Sequence, residues 1–197
     1  MSRTKYLRSM AALIALALVV AEDALAHSGT GQAGSFLSGF LHPITGLDHV
    51  VAMVAVGIWG AVLGNPAQWI LPLAFPIMMT VGGAIGIAGF EVPHVETVIA
   101  LSGVVLGVLV LFYVRAPLVI AAMVVAVFAL FHGYAHGKEL PAAASPVGYS
   151  VGFVTGTGLL HLVGIGLGTL DKLTFGKNLI RALGAAIAGT GFYFLFA

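Results

Sequence analysis

Apolar residues fill this chain in runs too long for an amphipathic helical stripe or a strand alternation. Windows of about 20 residues, the length that crosses a bilayer's hydrocarbon core, place spans at about 34–64, 68–90, 95–114, 117–136, 146–168 and 178–196. The first run is too long for one straight span, and Pro43 and Gly46 inside it predict a break or kink, with a short helix before the true span. Polar residues gather between the runs, and the loops they form are short. Four-apart glycine pairs recur at Gly82/Gly86, Gly103/Gly107, Gly152/Gly156 and Gly164/Gly168, each suited to close helix packing.

The segment before the first run has a different pattern. Arg3, Lys5 and Arg8 form a basic start, Met10 to Val20 a short apolar stretch, and Ala24-Leu25-Ala26 a small-residue cleavage signal. Glu22 and Asp23 would sit badly in a span, which favours a cleaved signal peptide over an uncleaved first helix. The expected architecture is an all-α integral membrane protein, a bundle of about six transmembrane helices after a cleavable signal peptide. Residues 1–26 would be the signal and 27–197 a single polytopic membrane domain.

Composition strengthens this picture. Of 197 residues, 60% are hydrophobic and only 8% charged, far below the quarter or so that a soluble domain carries. A net charge of +1 suggests no nucleic-acid partner, and the absence of cysteine excludes disulfides, thiolate metal sites and iron–sulfur clusters. No phosphate-binding glycine loop is present, which argues against ATP-driven pumping by this chain alone. The expected surroundings are a lipid bilayer, with a homo-oligomer left open.

Charge also sets an orientation. With the N-terminus outside, Arg115, Lys172, Lys177 and Arg181 fall at the cytoplasmic ends, and the outer loops hold Lys138 beside Glu91, Glu96 and Glu139. That asymmetry follows the positive-inside rule and agrees with the signal peptide on an N-terminus outside the cytoplasm. Trp59 and Trp69 flank the first cytoplasmic turn, as interfacial aromatics do.

Against this oily background stand two histidine clusters, His42-Pro43-Ile44-Thr45-Gly46-Leu47-Asp48-His49 and Phe131-His132-Gly133-Tyr134-Ala135-His136-Gly137-Lys138-Glu139. Ionisable groups are costly in hydrocarbon and usually mark function there. In the first cluster, His42, Asp48 and His49 can converge on one ion, or Asp48 can orient an imidazole instead. A bland alternative makes Thr45 a helix cap and Asp48 a partner of the helix dipole, but it leaves both histidines unexplained. In the second cluster, His132 and His136 are four apart on one helix face, and Glu139 follows. By the predicted orientation both clusters lie near the outer membrane face. Imidazole and carboxylate without thiol form a donor set for divalent first-row metals.

The remaining histidines divide. His161, inside the fifth run, is either a hydrogen-bonded core residue or a deeper ligand on the path. His94 reads as a solvated loop residue. Cleavage after Ala26 would make His27 the mature N-terminus, where amine and imidazole could chelate one metal.

The first cluster, followed by Val50-Val51-Ala52-Met53-Val54-Ala55-Val56-Gly57-Ile58-Trp59, resembles the HupE/UreJ family pattern of H-P-x-x-G-x-D-H and then A-M-x-x-V-G-x-W. Phe131 to Glu139 resembles that family's second region, and the likeness spans essentially the whole chain. These are small bacterial nickel or cobalt permeases associated with hydrogenase and urease maturation. The resemblance implies a non-enzymatic uptake permease that holds no permanent cofactor. Its cargo would be Ni2+ or Co2+, with Zn2+ also open, and its transport residues His42, Asp48, His49, His132, His136 and Glu139. Two other readings remain: an intramembrane zinc hydrolase, and a bis-histidine haem protein using His49 with His132 or His136.

Overall fold

The computed structural model describes residues 32–139 and 145–197, and the expected signal peptide and His27 lie outside them. Every regular element among the described residues is helical. The order is α1 (Gln32–Thr45), α2 (Leu47–Leu63), α3 (Ala67–Ile87), α4 (Val95–Leu111), α5 (Leu118–Glu139), α6 (Pro146–Gly168), a 3-10 turn (Thr169–Lys172) and α7 (Gly176–Phe196). A helix satisfies its own backbone groups, which is what a span in hydrocarbon requires.

Among the described residues, four helices are long and apolar enough to cross a membrane: α3, α5, α6 with its 3-10 extension, and α7. A fifth crossing results if Ser35–Thr45 and Leu47–Leu63, bent by 77°, count as one span. The six predicted runs thus reduce to four or five candidates. Helix α4, with 17 residues, reaches only about 25 Å at 1.5 Å per residue, short of the hydrocarbon thickness.

The break in the first run falls at Gly46, whose ψ of 111° leaves the helical region. Pro43 sits inside α1 without ending it. The bend keeps its backbone groups paired: the Gly46 amide donates to the His42 carbonyl at 3.1 Å, and the Gly46 carbonyl accepts from Val50 at 3.0 Å. Thr45 is not the cap of α2. Its hydroxyl turns back to the Leu41 carbonyl at 3.1 Å.

Helix α2 runs through the middle of the bundle, with Ala52, Met53, Ala55, Val56, Ile58 and Trp59 all buried. Around it the other helices form three pairs, α1 with α6, α3 with α5, and α4 with α7. Three of the glycine pairs lie at these contacts and Gly164/Gly168 lies where α6 meets α2, which supports the packing reading of their spacing. A Cβ on Gly82 would strike the Leu130 carbonyl of α5, and one on Gly133 the Met79 carbonyl of α3, so α3 and α5 interlock beside the second histidine cluster. Large apolar residues such as Leu73, Ile77, Val119, Met123 and Val127 face outward, as lipid-facing positions do.

The ends of α3 and α5 and the starts of α4 and α6 define one end of the bundle, which carries the histidine clusters. The other end carries the basic residues. There the Tyr113 hydroxyl donates to Asp171 Oδ2 at 2.7 Å, with Arg115 and Lys177 both within 6 Å of its ring centre. Desolvation first, and then the bond to Asp171, raise the Tyr113 phenol above its ordinary pKa and keep it a donor. Trp59 differs from its expected interfacial role. It is buried, and its indole N–H donates to the Val114 carbonyl at 2.9 Å, while Trp69 stays exposed.

Candidate metal centre

Three helices bring three imidazoles together. His42 lies in the last turn of α1, His49 in the first turn of α2, and His136 near the end of α5. One ring nitrogen from each lies within 4.8 Å of the other two. The bend at Gly46 makes this possible, because it folds α1 back so that His42 meets His49 across the corner. Glycine at the corner also leaves room for the ligands. A Cβ there would come within 2.8 Å of His49 Nδ1 and 3.1 Å of Asp48 Oδ1.

Asp48 Oδ2 lies 2.8 Å from His49 Nδ1, yet Nδ1 has no aligned hydrogen bond, so the contact is a charge interaction rather than a linear N–H···O bond. A negative charge there favours the proton on Nδ1 and leaves the Nε2 lone pair for other partners. His49 Nε2 meets His136 Nε2 at 2.6 Å, a contact that holds one proton between the rings. Two imidazoles on one ion at about 2.0–2.1 Å stand roughly 2.9–3.4 Å apart, depending on coordination angle. A metal ion bound between them would replace that proton and part the rings by under about 1 Å.

The trio has an aromatic wall. The Phe153 ring of α6 lies 4.4 Å from His136 and 5.9 Å from His42, centre to centre, and Tyr149 stands 6.1 Å from His42. A cleft of about 210 Å³ between α3, α5 and α6 reaches His136 past Gly83, Gly137 and Tyr149. Neither Phe153 nor Tyr149 gave a sequence signal, being an aromatic residue in an apolar helix.

The predicted site residues divide. His42, His49 and His136 meet, and Asp48 supports His49. His132 does not join them. One turn earlier on α5, it directs Nδ1 to the Phe128 carbonyl at 2.9 Å and keeps Nε2 unpartnered. Its ring centre is 5.5 Å from that of His49, so it borders the trio from within the bundle. Glu139 is exposed as the last residue of α5 and lies outside the trio. His94 is exposed at the start of α4, as its loop reading expected. His161 is buried on α6, and neither of its ring nitrogens has a partner.

The HupE / UreJ protein family profile matches residues 14–194 of this chain. Protein HupE of Rhizobium leguminosarum bv. viciae is 46% identical over 188 residues, which cover 95% of this chain and 96% of that protein. No solved structure matches the chain.

Proposed function

Because this chain belongs to the HupE/UreJ family, we propose that it is an uptake permease for a divalent transition metal, nickel or cobalt, in the bacterial inner membrane. The observation that carries this reading is the meeting of His42, His49 and His136 from three helices inside an apolar bundle. Imidazole suits nickel, cobalt and zinc alike, so the donor set defines the class of cargo rather than one metal. The permease reading also assigns the family's accessory role to metal supply for hydrogenase or urease.

The histidine end faces the periplasm in this proposal. Arg115, Lys172, Lys177 and Arg181 at the opposite end support that orientation by the positive-inside rule. A signal peptide cleaved after Ala26 would place His27 on the same side, where its amine and imidazole capture scarce metal. Exposed Glu139 attracts the hydrated cation, and the trio replaces part of its water. Asp48 supplies the nearby negative charge and holds His49 in the ligating tautomer. Transport is then facilitated or driven by the membrane potential, which favours entry by about 4.6 kcal/mol for a double charge at 100 mV.

Three imidazoles also match the protein ligand count of a catalytic zinc site, so a zinc hydrolase is the second reading. Uptake of radioactive nickel and cobalt into cells expressing this chain, with zinc as competitor, separates the two. Saturable uptake that His49→Ala abolishes supports the permease. No uptake, together with zinc-dependent lipid or peptide hydrolysis, would replace it with the hydrolase.

A further inference from the structure

All six buried side-chain nitrogen and oxygen atoms that lack a hydrogen-bond partner among the described residues belong to four histidines and one threonine. Two of those residues, His49 and His136, belong to the trio. The others are His132, which borders the trio, and Thr157 and His161 on α6.

We infer that His161 and Thr157 form a second cation station inside the bundle, reached from the trio through His132. His161 is 1% exposed and both of its ring nitrogens are unpartnered. Thr157 is 0% exposed, its hydroxyl is also unpartnered, and it stands four residues before His161 on the same face of α6. Leaving a buried polar group unpaired costs about 1–3 kcal/mol each, a cost that leucine or phenylalanine at these positions would avoid. A partner that arrives only with the cargo accounts for groups kept bare.

The geometry connects this station to the trio. His132 Nδ1 donates to the Phe128 carbonyl, which leaves the Nε2 lone pair bare and the ring fixed. On one side His132 meets His49, with ring centres 5.5 Å apart. On the other it meets Phe75 at 5.6 Å, and Phe75 in turn meets His161 at 5.3 Å. The Phe75 ring therefore stands between the two stations. It belongs to α3, whose Pro72 and Pro76 each remove a helical hydrogen bond on either side of Phe75. That leaves α3 the element best able to move the ring aside. The opposite wall is rigid, since Gly57 of α2 lies against the His161 carbonyl too closely for any Cβ. One imidazole and one hydroxyl make a sparser donor set than three imidazoles. Weaker binding at the inner station suits an ion that must leave again.

This inference rests on the permease reading, and the test keeps the two apart. Nickel binding to the purified full-length protein and nickel uptake into cells are measured for wild type, His161→Phe and Thr157→Val. His161→Phe fills the same space without a ligand, and Thr157→Val keeps the shape of the side chain. The expected result is that His161→Phe binds nickel at the trio within about threefold of wild type, loses a second, weaker binding event, and takes up nickel at least about tenfold more slowly. Thr157→Val should slow uptake about threefold by losing one donor. His161→Cys, which restores a ligand, should recover part of the rate. Wild-type uptake by His161→Phe and Thr157→Val at normal membrane levels overturns the inner station and leaves the trio intact. Absence of nickel uptake by the wild type overturns the permease reading and the station with it.

Discussion

The two ends of the bundle differ in where buried side-chain polar atoms go unpaired among the described residues. At the basic end they are paired within the chain: Tyr113 with Asp171, the Trp59 indole with the Val114 carbonyl, and Arg181 with the Leu111 carbonyl at 3.1 Å. At the histidine end, and along the path inward, ring nitrogens of His49, His132, His136 and His161 are left without hydrogen bonds. Both arrangements hold polar atoms in an apolar protein, but only the second carries the cost of unmade bonds. Paired groups fasten helix ends, whereas one nitrogen each of His49, His132 and His136 and both of His161 stay without a hydrogen bond.

Substitutions can break that contrast. The largest effect is expected for His49→Ala, which removes the ligand that touches both His136 and Asp48. Metal uptake should fall at least about 100-fold while the protein stays in the membrane at near-normal levels. His132→Ala should also abolish uptake, though through the inner path rather than the trio. Normal uptake by both variants at limiting metal would end the claim that the buried imidazoles work together.

Asp48→Asn comes next. It keeps the shape but removes the charge beside His49 Nδ1, and calorimetry should show affinity lowered by about 10- to 100-fold. Unchanged affinity would make Asp48 a helix-terminus residue only. Gly46→Ala should cost about tenfold in affinity with little loss of stability, because the backbone suits alanine but the new methyl presses on the His49 ring.

Acidity gives a comparison between the ends without mutation. Metal needs neutral imidazole, so a proton competes for the same lone pair, and the reference histidine pKa is about 6.5. Nickel affinity should hold above that pH and fall as pH drops through and below it. Equal affinity at mildly acid and neutral pH would argue against imidazole ligation. At the basic end, Tyr113→Phe should show the smallest effect, a stability loss of no more than about 1 kcal/mol in thermal unfolding and unaltered metal affinity.

Much of this was legible in the sequence, and the limits have physical causes. Long apolar runs announced the helices because hydrocarbon demands them, and the glycine spacings announced the helix contacts. The length of Val95–Leu111 was less legible, since Phe112 and Val114 are as apolar as the helix they follow. The bend was expected at Pro43 or Gly46. It falls at Gly46: Pro43 sits inside α1 two residues before that helix ends, whereas glycine readily leaves the helical region. His42 and His49 were marked by their motif. His132 and His136 shared a predicted face, yet a hydrogen bond to the Phe128 carbonyl turns one of them away. Phe75 and Phe153 could not be singled out, because an aromatic wall beside a metal site looks like any apolar position in a membrane helix.

The claim that three imidazoles from three helices hold one cation is tested most directly by X-ray absorption on the purified protein loaded with one equivalent of nickel. The account predicts a nickel shell containing three imidazole nitrogens at about 2.0–2.1 Å, with fewer in His49→Ala and no change in Tyr113→Phe. A nickel shell made only of water or carboxylate oxygen in the wild type would contradict it.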